Sequence, residues 1–288
     1  MKSIVFNNKT MNFISKSLIR LGYFVPPWLP HGSAIGNRLL KPLYKYLFGS
    51  CWESVMIWEG IQMQVNPTEC VGGNLFFCPQ LYDRDERSWV FENLEPNGIF
   101  VDVGANIGAY TLWAAKRLSD GGRILAIEAD PDTFQILQAN LSMNTLKCAA
   151  QLENVGVSDI KETITFYRNI QGNAGANSFL KTKDAVPVFA LHAEPLYDVI
   201  IRNALTHIDF MKIDIEGFEL KVLTRFFSDC KNGDGKLLPR FVLIELDEGP
   251  LRGDVDYRHS IFQIFSKNGY GVLRNGKNTL FHFTGRLI

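Results

Sequence analysis

A chain of 288 residues, 46% apolar and 21% charged, has the material for one large folded core plus an extension. Its 30 basic side chains balance 30 acidic ones, which removes any general electrostatic drive toward nucleic acid. The cysteines (Cys51, Cys70, Cys78, Cys148, Cys230) are odd in number and lack C-x-x-C spacing, which excludes a disulfide framework or a zinc site and suits a reducing, cytoplasmic setting.

The charge is unevenly placed. Residues 1–52 carry Lys2, Lys9, Lys16, Arg20, Arg38, Lys41 and Lys45 and no acid, so an acidic body follows a basic start. Met11, Ile14, Leu18 and Leu21 recur at helical spacing until Pro26, Pro27 and Pro30 stop them. A second helical pattern runs through Leu39, Leu43 and Leu47. This segment is expected to be a basic helical extension. It is a candidate for peripheral contact with an anionic membrane, and a solvated helical face is the plainer alternative. No run of about 18 apolar residues exists to form a spanning helix. Lys16 and Arg20 interrupt the stretch that would have to serve as a signal-peptide core.

Residues 53–97 read as a β-hairpin around Gly60, then a helix over 83–94 that leads to the Pro96-Asn97-Gly98 turn. From 98 to 288 the pattern becomes regular. Buried strands are expected at 99–103, 124–127, 152–157, 210–215 and 240–246, with an extra strand at 163–167. Helices are expected at 108–118, 131–143, 218–227 and 259–266. A hairpin around Asn275-Gly276 ends the chain. Continuous apolar strands alternating with helices predict an α/β fold, a parallel sheet covered on both faces. Ligands of such sheets bind beyond the carboxyl ends of the strands.

Four segments at those ends carry candidate chemistry. In Val101-Asp-Val-Gly-Ala-Asn-Ile-Gly108 a buried strand turns into a helix. Gly104 lets the backbone turn and approach a ligand, Gly108 opens the helix, and Asp102 can accept hydrogen bonds or neutralise a cation. An ordinary strand-to-helix turn satisfies the same pattern. Gly104, Asn106 and Ala109 also fall on the spacing of a dinucleotide fingerprint, but Asn106 replaces the glycine that lets backbone approach a pyrophosphate. Glu128 ends the second strand, twenty residues after Gly108. A carboxylate there can take both hydroxyls of a ribose, since Asp130 already suits the N-cap of the following helix. After the third strand, Asp159 or Ser158 is positioned to meet an adenine amine, with a plain turn as the equal alternative. Finally, Lys212, Asp214 and Glu216 alternate along an otherwise apolar strand and share one face. Buried charges of this kind are costly unless paired or functional.

VDVGANIGAYT, IEADPDTFQILQANLSMN, DFMKIDIEGFELKVL and VLIEL together resemble the FkbM family of class I methyltransferases over most of residues 98–246. The resemblance implies a Rossmann-like fold: a mostly parallel seven-stranded sheet with helices on both faces, and a C-terminal β-hairpin that supplies an antiparallel strand. It implies S-adenosylmethionine as methyl donor, held by Asp102, Gly104, Asn106, Gly108, Glu128 and Asp159. It also implies a hydroxyl acceptor on a sugar, polyketide or other small metabolite. Two positions depart from the family pattern: Ala129 and Asp130 intervene before Pro131, and Tyr197 stands where an acid is usual.

An aliphatic hydroxyl must lose its proton during attack, so a base within hydrogen-bond reach helps. Asp214 or Glu216 is the expected base or its orienter, with Lys212 beside them and His207 a weaker candidate. No ligand spacing requires a metal. The Gly- and Asn-rich stretch 171–179 is a candidate loop over the acceptor, or a plain surface loop. The competing readings are a nicotinamide-type oxidoreductase, opposed by Asn106, and a non-catalytic nucleoside-binding module, opposed by the acids at 214 and 216.

Overall fold

The computed structural model describes residues 32–169, 185–215, 217–233, 235–246, 255–275 and 278–285. The predicted helix over 11–21, the 171–179 stretch, Glu216 and Gly276 therefore lie outside the described residues. The chain divides between Arg84 and Asp85 into two compact units.

In the first unit, helix α1 (Gly32–Phe48) precedes an antiparallel pair, β1 (Glu53–Met56) and β2 (Gln62–Val65), joined through a 3-10 turn at Trp58–Gly60. Alternation along β2 buries Met63 and Val65. Helix α2 (Cys70–Phe77) follows. Its CVGGNLFF sequence is a poor helix former, but a side chain on Gly72 would collide with the Asn66 carbonyl at 2.2 Å. Close packing, not propensity, fixes this helix. Tyr44 is fully buried against the rings of Phe48, Phe76 and Phe77, and its hydroxyl donates to Glu53 at 2.6 Å.

Helix α3 (Arg84–Asn93) leads to the second unit. Here β3 (Ile99–Val103), α4 (Ala109–Arg117), β4 (Arg123–Ile127), α5 (Pro131–Ser142) and β5 (Ala149–Glu153) alternate. The chain then leaves the main sheet for β6 (Gly156–Ser158), β7 (Glu162–Asn169) and β8 (Ala185–Pro195), a separate three-stranded sheet in the order β6-β8-β7. Helix α6 (Leu196–Arg202) returns it to β9 (Phe210–Ile213), α7 (Glu219–Asn232), β10 (Phe241–Glu245), α8 (Val255–Lys267), β11 (Tyr270–Asn275) and β12 (Asn278–Phe283). The predicted single strand over 152–157 is thus two short strands in different sheets.

The main sheet has seven strands in the order β11-β12-β10-β9-β3-β4-β5. β12 runs antiparallel to both its neighbours, and the pairs β10·β9, β9·β3, β3·β4 and β4·β5 are parallel. This is a doubly wound, Rossmann-like α/β sheet. Strand order reverses at β3, whose neighbours are β4 and β9, and that switch point is where such sheets bind ligands.

Register decides which side chain faces which layer. Val101, Val103, Met211, Ile213, Val242 and Ile244 join one buried cluster with Val222, Leu223 and Phe226 of α7 and Ile261 and Phe265 of α8. The alternate residues face the other way, where the rings of Phe100, Phe210 and Phe241 pack in sequence. Asp102 and Lys212 occupy this second face and are register partners across β3 and β9.

Candidate active site

The turn after β3 is built by conformations and contacts that only its sequence allows. Gly104 has φ +76°, and a β-carbon there would sit 1.9 Å from the Asp214 carbonyl oxygen. The turn is therefore pressed against the chain leaving β9, and glycine is required for both reasons. The N–H groups of Gly104 and Ala105 both donate to the Ile127 carbonyl at 2.9 Å. Asn106 takes φ 51°, a left-handed conformation that Asn tolerates, and its side-chain oxygen accepts the Ile107 N–H at 2.8 Å. Gly108, at φ +91°, is the N-cap of α4. Asn140 of α5 donates to the Ile107 carbonyl at 2.8 Å and fixes the far side of the turn.

Glu128 lies where β4 ends, half-buried. Its two carboxylate oxygens accept N–H groups from Asn106 (2.8 Å) and Asp130 (2.9 Å). Glu128 thus ties the β3 turn to the β4 turn, and each oxygen keeps a lone pair for an incoming hydroxyl. Burial pushes its carboxyl up to about 7, against these two N–H groups, which hold it down. Asp130 is the N-cap of α5, accepting the N–H groups of Asp132 and Thr133, as the sequence predicts.

Lys212 is the charged centre of the switch point. Its ammonium donates to the Gly104 carbonyl at 3.0 Å and to Asp214 at 3.3 Å, and stands 4.0 Å from Asp102 and 5.5 Å from the centre of the Tyr110 ring. Burial works against its charge, but Asp214, Asp102 and Glu245 together hold the ammonium protonated, above the ordinary lysine range. Asp102 has no exposed surface. One of its oxygens accepts the Thr111 hydroxyl at 2.6 Å, and the other accepts no hydrogen bond. Burial pushes its carboxyl upward, opposed by Lys212 and Thr111. Asp102 is thus enclosed behind the turn, with Lys212 as its nearest cation. Asp214 follows β9, its backbone N–H donating to Val103 at 3.0 Å and its carboxylate partly open.

One expectation is corrected by these positions. His207 lies at the amino end of β9, paired with Asp209 at 3.1 Å. That is the edge of the sheet opposite the strand ends, so it is no base for chemistry there. Asp159 follows β6 in the small sheet, where it pairs with Lys221 of α7 at 3.2 Å and accepts the Ser158 hydroxyl at 3.2 Å. A side chain brought to Glu128 from the end of β5 is Asn154, which donates to the carbonyls of Glu128 (2.8 Å) and Ala129 (3.1 Å). Asn154 opened the segment singled out in the sequence, but an amide after a strand carries no signal that separates it from a turn residue.

An open cleft of about 800 Å³ begins at Gly217, three residues beyond Asp214. Ile160, Phe218, Leu220 and Tyr257 give it apolar walls, and Asp159, Lys221 and Arg225 line it as well. Lys221 lies 4.2 Å from the Phe218 ring and Arg225 pairs with Asp229.

The sheet order, the glycine turn at the switch point and a carboxylate ending the adjacent strand define a Rossmann-like enzyme class that holds a nucleoside cofactor between β3, β4 and β9. The family model for the methyltransferase FkbM domain matches residues 102–272, well over half of the chain. The chain belongs to the FkbM methyltransferase family. It is 30% identical over 160 residues to methyltransferase sdnD of Sordaria araneosa, an alignment covering 46% of this chain and 61% of that one. It is also 30% identical over 198 residues to the AMB antimetabolite synthetase AmbE of Pseudomonas aeruginosa, covering 56% of this chain and 9% of that one. The match thus spans less than two thirds of either relative. Among solved structures, it resembles a SAM dependent methyltransferase from Aquifex aeolicus at 16% identity and TM-score 0.39, over 70% of this chain and 88% of that one.

Membership in this family brings S-adenosylmethionine as the cofactor and sets aside the nicotinamide reading. The residues fit it. Asp102, Asp214 and Glu128 make the strand ends electronegative, which suits a cationic ligand, and Asp102 keeps one buried acceptor without a hydrogen bond. Glu128 suits the vicinal hydroxyls of its ribose.

Proposed function

We propose that this chain transfers the methyl group of S-adenosylmethionine to a hydroxyl oxygen of a small-molecule acceptor such as a sugar or polyketide. The observation that carries the proposal is the interlock at the switch point, where Lys212 binds the Gly104 carbonyl of the cofactor turn and the Asp214 carboxylate of the acceptor side together.

When bound, S-adenosylmethionine supplies an electrophilic methyl carbon on a positive sulfur, a centre with a good neutral leaving group. Glu128 and Asn154 hold the nucleoside end, and the Gly104–Gly108 turn lies along it. Lys212 stays protonated and keeps Asp214 fixed in place. Asp214 accepts the proton of the attacking hydroxyl, and positioning supplies much of the remaining rate. Glu216, outside the described residues, is the second carboxylate that the sequence offers for this role. The cleft from Gly217 to Tyr257 is the acceptor's place, since about 300–1,000 Å³ with mostly apolar walls is the usual size of a small-molecule site.

The test is S-adenosylhomocysteine release across a panel of hydroxylated metabolites. With an acceptor found, Asp214→Asn lowers kcat by about 100-fold or more. Full turnover in both Asp214→Asn and Glu216→Gln removes the base assignment.

A second proposal concerns residues 1–52. In α1, Tyr46 is 87% exposed and Leu43 44%, beside Lys45. Aromatic and basic groups on one exposed helix suit the headgroup layer of an anionic membrane. Co-sedimentation with phosphatidylserine vesicles tests it, comparing the full chain with one lacking 1–52. Equal failure to sediment ends the idea.

A further inference from the structure

Glu219 takes no part in the account above, yet it is only 3% exposed. It is the first residue of α7, where an acid ordinarily lies in solvent and favours the helix dipole. Here its carboxylate is turned back into the protein. One oxygen accepts the Ile215 N–H at 2.9 Å. The other accepts the Gly217 N–H at 3.0 Å and the Tyr257 hydroxyl of α8. Three donors converge on one buried carboxylate, and two of them are backbone groups of the short turn that follows β9.

That turn also carries Asp214. At its near end the Asp214 N–H is held by Val103, and the Asp214 carbonyl is pressed on Gly104 so closely that no β-carbon fits between them. At its far end, among the described residues, Glu219 takes up the N–H groups of Ile215 and Gly217. The position of the turn therefore sets both the Asp214 carboxylate and the packing of the cofactor turn. Tyr257 also lines the acceptor cleft, so the same side chain links the cleft wall to the clamp.

We infer that Glu219 is a positioning residue for methyl transfer. Locked by Tyr257, it clamps the turn after β9 against Gly104 and so couples the acceptor side of the site to cofactor affinity. The inference rests on the methyltransferase reading. Glu219→Gln keeps the shape but presents an amide donor where only acceptors fit, so at least one backbone bond is lost. Tyr257→Phe leaves both backbone bonds and removes only the lock.

The experiment uses the full chain and two readouts: hydrogen exchange of peptides spanning 210–220 without cofactor, and calorimetric titration with S-adenosylhomocysteine. The loss of one charge-assisted hydrogen bond predicts about tenfold faster exchange at 215–217 and about tenfold weaker binding in Glu219→Gln. Exchange in β3 and β4 stays unchanged. Tyr257→Phe shifts both in the same direction by about threefold, as loss of a single neutral donor does, and carries the test if Glu219→Gln does not fold. Wild-type exchange and wild-type affinity in either folded variant overturn the inference, and so does a loss of global stability with both readouts unmoved. If the wild type itself binds no S-adenosylhomocysteine, the methyltransferase reading falls and the coupling falls with it, whatever the exchange shows.

Discussion

Gly104→Ala is the sharpest perturbation of the switch point. Alanine at φ +76° costs about 1–2 kcal/mol in backbone strain alone. Its β-carbon would lie 1.9 Å from the Asp214 carbonyl oxygen, a backbone atom that no rotamer change can move aside. Relief needs a shift of more than about 1 Å in the turn or in the chain after β9, since carbon–oxygen contacts sit near 3.3 Å. That shift strains the two bonds from Gly104 and Ala105 to the Ile127 carbonyl, worth about 1 kcal/mol each. The sum is about 3–4 kcal/mol, expressed as lost stability, as lost cofactor affinity, or divided between them. Urea unfolding and calorimetric titration with S-adenosylmethionine measure the two shares. A variant that loses less than about 1 kcal/mol in both together refutes the interlock of the two turns.

Further outcomes follow from neighbouring groups. Lys212→Met leaves Asp102 enclosed without its cation, so urea unfolding should show a loss of about 3–5 kcal/mol, much of it recovered by adding Asp102→Asn; a single-variant loss under about 1 kcal/mol contradicts the cage. Glu128 has a folded value of about 7, above its ordinary 4.5, so its contribution to stability is fully present below 4.5 and is lost as pH rises through about 7. The carboxylate is the form that best accepts ribose hydroxyls, so S-adenosylmethionine affinity should rise between pH 6 and 8 around that midpoint of about 7, and Glu128→Gln should flatten the profile. A wild-type profile already flat across this range rules out Glu128 as the titrating contact. His207→Ala, at the opposite edge of the sheet, should cost no more than about 1 kcal/mol of stability and leave cofactor affinity unchanged; a clear drop in affinity would return it to the site.

The parts of the molecule readable from sequence are those set by local rules. β3 and the helix after it follow from an apolar run, two glycines that must take positive φ, and Asn106 between them. The N-cap at Asp130 is legible because an acid before proline at a helix start has one natural use. The alternation of Lys212 and Asp214 is legible for the same reason, since period two places them together. Of the small sheet, β7 is legible as the predicted strand over 163–167, but β8 is not. β8 contains Pro187, Pro195, His192 and Glu194, weak strand formers, and it exists because it pairs with β7 over Glu162–Asn169. Glu219 was hidden because acids in a first helical turn are common, and nothing local says that this one is buried under Tyr257.

The most direct measurement of the central claim is calorimetric titration of the chain with S-adenosylmethionine and, separately, with NAD. The account predicts that S-adenosylmethionine binds, that Glu128→Ala weakens it, and that NAD gives no heat. Binding of NAD alone, or S-adenosylmethionine affinity untouched by Glu128→Ala, would contradict it.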